Sequence, residues 1–168
     1  MKLERGINLG GYLSQCVHNT EHYDAFIQEE DIRKLASMGF DQVRLAIDYH
    51  VLDDEYGRTR EEGFAYVTRV VEWCKRQELN IVLDLHKAYG YDFNNAGDKG
   101  KNILFTNKMV QKRFVNLWIK IAEHYANETH VEFELLNEVV EQENAEAWNL
   151  LIAVSVVAIG RIARDTII

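Results

Sequence analysis

The sequence predicts an α/β fold in which four strand–helix units build one parallel sheet. Three observations carry that expectation. Strand-like and helix-like periodicities alternate along all 168 residues, the pattern of a parallel sheet with right-handed crossovers. The strand-like runs are short, β-branched and nearly all apolar, as in sheets buried on both faces. No linker, low-complexity tract or strong internal repeat interrupts the chain, so residues 1–168 read as a single domain.

Arg5-Gly6-Ile7-Asn8-Leu9 reads as the first strand, closed by the turn signal Gly10-Gly11. The first helix is expected from Glu29 to Met38, with Ile32, Leu35 and Ala36 on one face and Gly39 as its stop. Gln42 to Ile47 is the second strand. Glu61 to Gln77 is the second helix, with an inward stripe of Phe64, Val67, Val70, Val71 and Cys74. Asn80 to Leu85 is the third strand, followed by a Gly-, Asn- and Asp-rich loop from Gly90 to Asn102. The third helix runs from Lys108 to Ala126, burying Phe114, Leu117, Trp118 and Ile121. Val131 to Leu136 is the fourth strand and Ala145 to Ala163 the fourth helix. Asp165-Thr166-Ile167-Ile168 resembles the opening of a fifth strand.

Two architectures share this order, an open doubly wound sheet and a closed (βα)8 barrel. The nucleotide-binding form of the first needs a Gly-rich phosphate loop, and Gly6…Gly10-Gly11 has neither its spacing nor a following Lys-Ser/Thr. A (βα)8 barrel of the TIM type needs about 200 residues or more. The chain therefore reads as a single half-barrel domain, the (βα)4 half of such a barrel.

Composition excludes several function classes. Nineteen Lys and Arg against 27 Asp and Glu give a net charge of −8, and the pI is near 5.2. Neither nucleic acid nor an anionic membrane is an expected partner, because both need clustered basic residues. No segment has the roughly 18 apolar residues of a membrane span, and Met1-Lys2-Leu3-Glu4-Arg5 lacks the apolar run of a signal peptide. Cys16 and Cys74 are too few for a disulfide scaffold; as reduced thiols they suggest a cytoplasmic protein. Nothing in the sequence calls for a cofactor.

The chemistry gathers at the C-terminal ends of the strands, where barrels assemble their active sites. Asn8 closes the first strand, Arg44 and Asp48 the second, His86 the third, and Asn137 with Glu138 the fourth. A carboxylate beside an amide and an imidazole suits general acid–base work on a sugar. Plainer readings stand beside this one. Arg44 could pair with Asp48 or Glu134, and His86 could be a hydrogen-bonded core histidine. His18 and His22 are four apart, but no third ligand is spaced to join them, so no metal site is expected. Tyr12, Tyr91 and Phe93 fall in rim loops and are candidates to stack on a sugar, whereas Trp73 and Trp118 sit on helices and belong to the core.

Four motifs, in order, carry a resemblance: Arg5-Gly6-Ile7-Asn8-Leu9-Gly10-Gly11, Val43-Arg44-Leu45, Leu83-Asp84-Leu85-His86, and Phe133-Glu134-Leu135-Leu136-Asn137-Glu138. Together they resemble glycoside hydrolase family 5, the cellulase family. Only the Leu-Asn-Glu motif is specific alone; the others add weight through their order. The resemblance implies a (βα)8 barrel that hydrolyses β-linked glucans and mannans with retention, here a β-1,4-glucanase-like activity. It implies Glu138 as the acid/base, Asn137 on the sugar 2-hydroxyl, His86 on the same sugar, and Arg44 orienting the nucleophilic carboxylate. Tyr12 and Tyr91 complete the expected substrate-binding set. The family's nucleophile lies at the end of a seventh strand, which these residues do not include. Retention needs two carboxyl groups about 5–5.5 Å apart, so the chain alone is expected to be inactive.

The chain contains no proline, where a length like this usually carries about eight. Family members usually have Pro at the positions of Ala46 and Tyr89, and Pro would be unsurprising at Lys108 and Gln142. This pattern suggests an engineered half-barrel relieved of slow prolyl isomerisation. Half a barrel has two unpaired edges, and Leu150 to Gly160 carries no charge. A helix apolar all round is buried all round. The expected partner is therefore the chain itself, as a homodimer or higher oligomer, or a complementary half-barrel. A symmetric dimer would pair each fourth strand with the partner's first and hold two Glu138 residues too far apart for retention. The alternative function is a self-assembling scaffold without activity.

Overall fold

The computed structural model describes residues 4–168. Met1, Lys2 and Leu3, where a signal peptide would begin, lie outside them. Four strands form one parallel sheet in the order β1 (Gly6–Asn8), β2 (Gln42–Asp48), β3 (Asn80–Lys87), β4 (Val131–Glu134). Each strand is hydrogen-bonded to the next in sequence, so the sheet winds in one direction without a switch point. That is the expected half-barrel order.

Six α-helices occur among the described residues: α1 (Thr20–Ala25), α2 (Glu29–Ser37), α3 (Tyr49–Leu52), α4 (Glu61–Arg76), α5 (Lys108–Tyr125) and α6 (Ala145–Gly160). Four are those the sequence predicts, each ending one to three residues early. The additional α1 is started by Asn19, whose side chain accepts from the His22 N–H at 2.8 Å. Likewise Asn107 opens α5 by accepting from the Met109 and Val110 N–H groups.

The apolar core lies on one face of the sheet, and the other carries polar and charged side chains, which corrects the expectation of apolar burial on both. Along β3, Ile81, Leu83 and Leu85 are buried toward the helices. Val82, Asp84 and His86 alternate with them and face the other way. Paired registers extend this second face across the sheet through Arg44, Val82 and Glu132, then Ala46, Asp84 and Glu134. The helix side holds the core, in which Phe64, Val67, Val70, Val71 and Cys74 of α4 meet Phe114, Leu117, Trp118 and Ile121 of α5. Trp73 and Trp118 are core residues, as expected.

Gly63 shows how closely α4 approaches α3. A Cβ there would lie 1.7 Å from the Val51 carbonyl oxygen, a backbone atom with no room to give. Gly63→Ala is expected to destabilise the chain by about 3 kcal/mol or more, at the upper end of overpacking costs. Urea unfolding measures this, and a loss below about 0.5 kcal/mol would contradict the packing.

Helix α6 departs from expectation. Leu151, Ser155 and Ile159 are buried, but Leu150, Val154 and Val157 are 61%, 56% and 57% exposed. Its uncharged stretch from Leu150 to Gly160 thus buries one face and presents an apolar stripe on the other. Nor does the tail form a fifth strand. Even so, the Phe133 N–H donates to the Ile167 carbonyl at 3.0 Å, so the tail occupies part of the β4 edge. That edge is where a symmetric dimer would seat the partner's first strand. No helix among the described residues is long and apolar enough to cross a membrane.

Candidate active site

The open face of the sheet converges on Arg44. Its guanidinium donates to both oxygens of Glu134, Nε to Oε2 at 2.6 Å and Nη2 to Oε1 at 2.7 Å. It also reaches Asn8 Oδ1 and Asn137 Oδ1, each at 3.0 Å, and Asp84 Oδ2 at 2.9 Å. Five contacts from a planar, permanently charged fork hold all four strands and the rim beyond β4 in fixed relation. The Glu134 hydrogen bond, with Asp84 beside it, raises the guanidinium's already high pKa against the opposing effect of burial. The ion-pair reading of Arg44 thus holds for Glu134 but not for Asp48.

Asp84 is fully buried. Burial pushes its carboxyl up, and His86 and Arg44 oppose that. His86 Nδ1 lies 2.7 Å from Asp84 Oδ2, and His86 Nε2 lies 3.0 Å from the Gln15 amide nitrogen. An ionised Asp84 can only accept, so it selects the tautomer in which Nδ1 donates and Nε2 accepts from Gln15. Asp84 was visible within the Leu-Asp-Leu-His motif. Its role follows from period-two spacing, which puts it on the same face as His86.

Asn137 is nine-tenths buried and Glu138 is exposed. Glu138 has φ of 45°, the left-handed region unusual for a residue with a side chain. The Tyr91 hydroxyl fixes this turn by donating to the Glu138 carbonyl at 2.7 Å while accepting from the Val140 N–H at 3.2 Å. The Glu138 carboxylate itself takes no hydrogen bond among the described residues. It borders a cavity of about 280 Å³ together with Asn8, Gln15, His86, Phe93 and Asn137.

Two expected substrate contacts need correction. Tyr12 is fully buried and Tyr91 is 2% exposed, so neither ring can stack on a sugar. The Tyr12 hydroxyl donates to the Tyr23 carbonyl and accepts from Arg69, while Tyr91 clamps the Glu138 turn. Of the three rim aromatics considered, only Phe93 is open, at 40%. Both cysteines are free thiols, and burial lifts that of Cys74 to about 12.

Residues 5–167 match the model of the cellulase family, glycosyl hydrolase family 5. The chain belongs to that family. It is 46% identical over 166 residues to endoglucanase C of Acetivibrio thermocellus, a match covering 96% of this chain and 47% of the endoglucanase. Against cellodextrinase A of Ruminococcus flavefaciens the identity is 40%, covering 98% and 48%. The chain thus spans about half the length of the curated relatives it matches. A glycoside hydrolase crystal structure superposes with a TM-score of 0.85 at 24% identity, covering 98% of this chain and 51% of that one. Endoglucanase Cel5A of Thermotoga maritima gives 0.77 at 24%, covering 98% and 50%. The fold is therefore half of the family's α/β barrel.

One inner-face carboxylate lies apart from this network. Glu132 is 6% exposed and its Oε1 has no hydrogen-bond partner among the described residues. Burial raises its pKa. A carboxyl whose folded pKa exceeds its unfolded value, about 4.3, stabilises fully below that value and loses the contribution as pH rises through the folded pKa. Glu132→Gln is expected to raise the unfolding midpoint at pH 7 and to leave it unchanged near pH 4. A lower midpoint at pH 7 would show instead a paired carboxylate.

Proposed function

We propose that this chain is the acid/base half of a retaining β-1,4-glucanase-like site, completed by a second polypeptide. Glu138 protonates the glycosidic oxygen, Asn137 holds the sugar 2-hydroxyl, and His86 binds the same sugar. Arg44 stands ready to orient the nucleophilic carboxylate that the other half supplies. The observation that carries this reading is the Arg44 hub, which fixes Asn8 and Asn137 at the mouth of the cavity that Glu138 borders. Phe93 is the aromatic surface open to the sugar.

Without a second carboxyl group at retaining distance the chain alone is inactive. A complementary half of four βα units, continuing from the tail beside β4, seals the open face. Lacking that half, the chain covers the same surfaces with a second copy of itself. The domain is a single unit over residues 1–168, and its lack of proline supports a redesigned sequence. An intact natural relative with the same proline-free half would overturn that last point.

The test fuses the remaining half of endoglucanase C after Ile168 and follows hydrolysis of an aryl β-cellobioside. Turnover is expected from the fusion and not from the chain alone. The alternative, an inactive self-assembling scaffold, is favoured by the exposed stripe on α6. It predicts a stable oligomer and no turnover in either case.

A further inference from the structure

We propose that His18, Asp48 and His50 form a binding site for a divalent transition-metal ion of the zinc type. One ligand atom from each lies within 4.8 Å of the others. His18 Nε2 stands 3.1 Å from Asp48 Oδ2, and the two imidazole rings meet edge to face with centroids 4.0 Å apart. Two imidazoles and one carboxylate are a zinc donor set that leaves a fourth position for water.

Neighbouring groups already hold the ligands in orientation. Ser14 Oγ donates to Asp48 Oδ1 at 2.7 Å, and Oδ2, which accepts from the Gln15 N–H at 3.3 Å, faces His18. The Tyr23 hydroxyl lies 2.6 Å from His18 Nδ1. When Nε2 takes a metal, the ring proton moves to Nδ1 and the phenol oxygen accepts it, the usual arrangement behind a metal-bound histidine. Neither ring nitrogen of His50 has a hydrogen-bond partner among the described residues. His18 and His50 both border an open cavity of about 230 Å³, which gives an ion and its waters access.

Two nearby groups do not block the site. Lys87 Nζ is 3.9 Å from Asp48 Oδ2 but 3.1 Å from Asp92 Oδ2, the carboxylate on which it remains. The Cys16 thiol donates to the Tyr12 carbonyl at 3.1 Å. His22, four residues from His18, does not take part, because its Nε2 lies 2.8 Å from the Gly11 carbonyl oxygen. The sequence spacing drew attention to the wrong pair; the other two ligands come from the end of β2 and the first turn of α3. A bound ion would tie the loop after β1 to β2, next to Gln15 and hence His86.

The experiment titrates the metal-free chain with Co²⁺, read by visible absorption, and with Zn²⁺, read by calorimetry. One equivalent is expected to bind, with tetrahedral nitrogen/oxygen bands and no thiolate charge-transfer band. His18→Ala and His50→Ala each are expected to weaken binding by on the order of 100-fold or more, and Tyr23→Phe by about 10-fold. His22→Ala is expected to bind like the parent. Circular dichroism checks each variant's fold, and His50→Gln replaces any that fails to fold. No saturable binding, a thiolate band, or unchanged affinity in the folded His50 variant would overturn the site.

Discussion

Arg44→Leu is expected to cost the chain about 3 kcal/mol in urea unfolding, because it strands a buried carboxylate rather than because it removes surface contacts. Asp84 is wholly inaccessible, and its partners are Arg44 and His86. Removing one member of a buried pair costs about 3–5 kcal/mol. The lower end applies because Arg44 and Glu134 keep 26% and 38% side-chain exposure. Adding Asp84→Asn to Arg44→Leu is expected to restore part of the loss, as the stranded charge then disappears. A cost below about 0.5 kcal/mol for the single variant would make the hub a screened surface pair.

Glu138→Gln in the fused, completed barrel is expected to lower kcat on cello-oligosaccharides by about 10²–10⁴-fold, the usual contribution of a positioned acid. The loss is expected to be much smaller for the first chemical step on a dinitrophenyl β-cellobioside, whose leaving group departs without a proton. This difference separates an acid from a residue that merely binds sugar. Equal losses on both substrates would assign Glu138 a binding or structural role. The Glu138 carboxylate stands exposed on a turn that Tyr91 clamps, at the border of the cavity.

The fold was legible where one periodicity stood alone. Four strands and four long helices follow from alternating hydrophobic patterns, and the Leu-Asn-Glu motif marked the rim. The failures have physical causes. In β3, Ile81, Leu83 and Leu85 dominated the reading, although Asp84 and His86 between and beyond them already marked a polar face. Tyr12 and Tyr91 lie in loops, but loop position says nothing about burial, and both hydroxyls have partners that hold the rings inside. From Leu150 to Gly160 the one polar residue of α6 is Ser155, which lies on the buried face, so sequence could not separate burial within the chain from burial against another. His18 met Asp48 and His50 only through tertiary structure, since 30 residues divide it from the nearer of them.

The half-barrel reading rests on surfaces that the single chain does not cover: the β1 edge, and Leu150, Val154 and Val157 on α6. Sedimentation equilibrium tests this most directly. The isolated chain is expected to weigh more than its 19.6 kDa monomer mass, and an added complementary half is expected to convert it to a one-to-one complex. A folded, monodisperse 19.6 kDa monomer that ignores the complementary half would contradict the account.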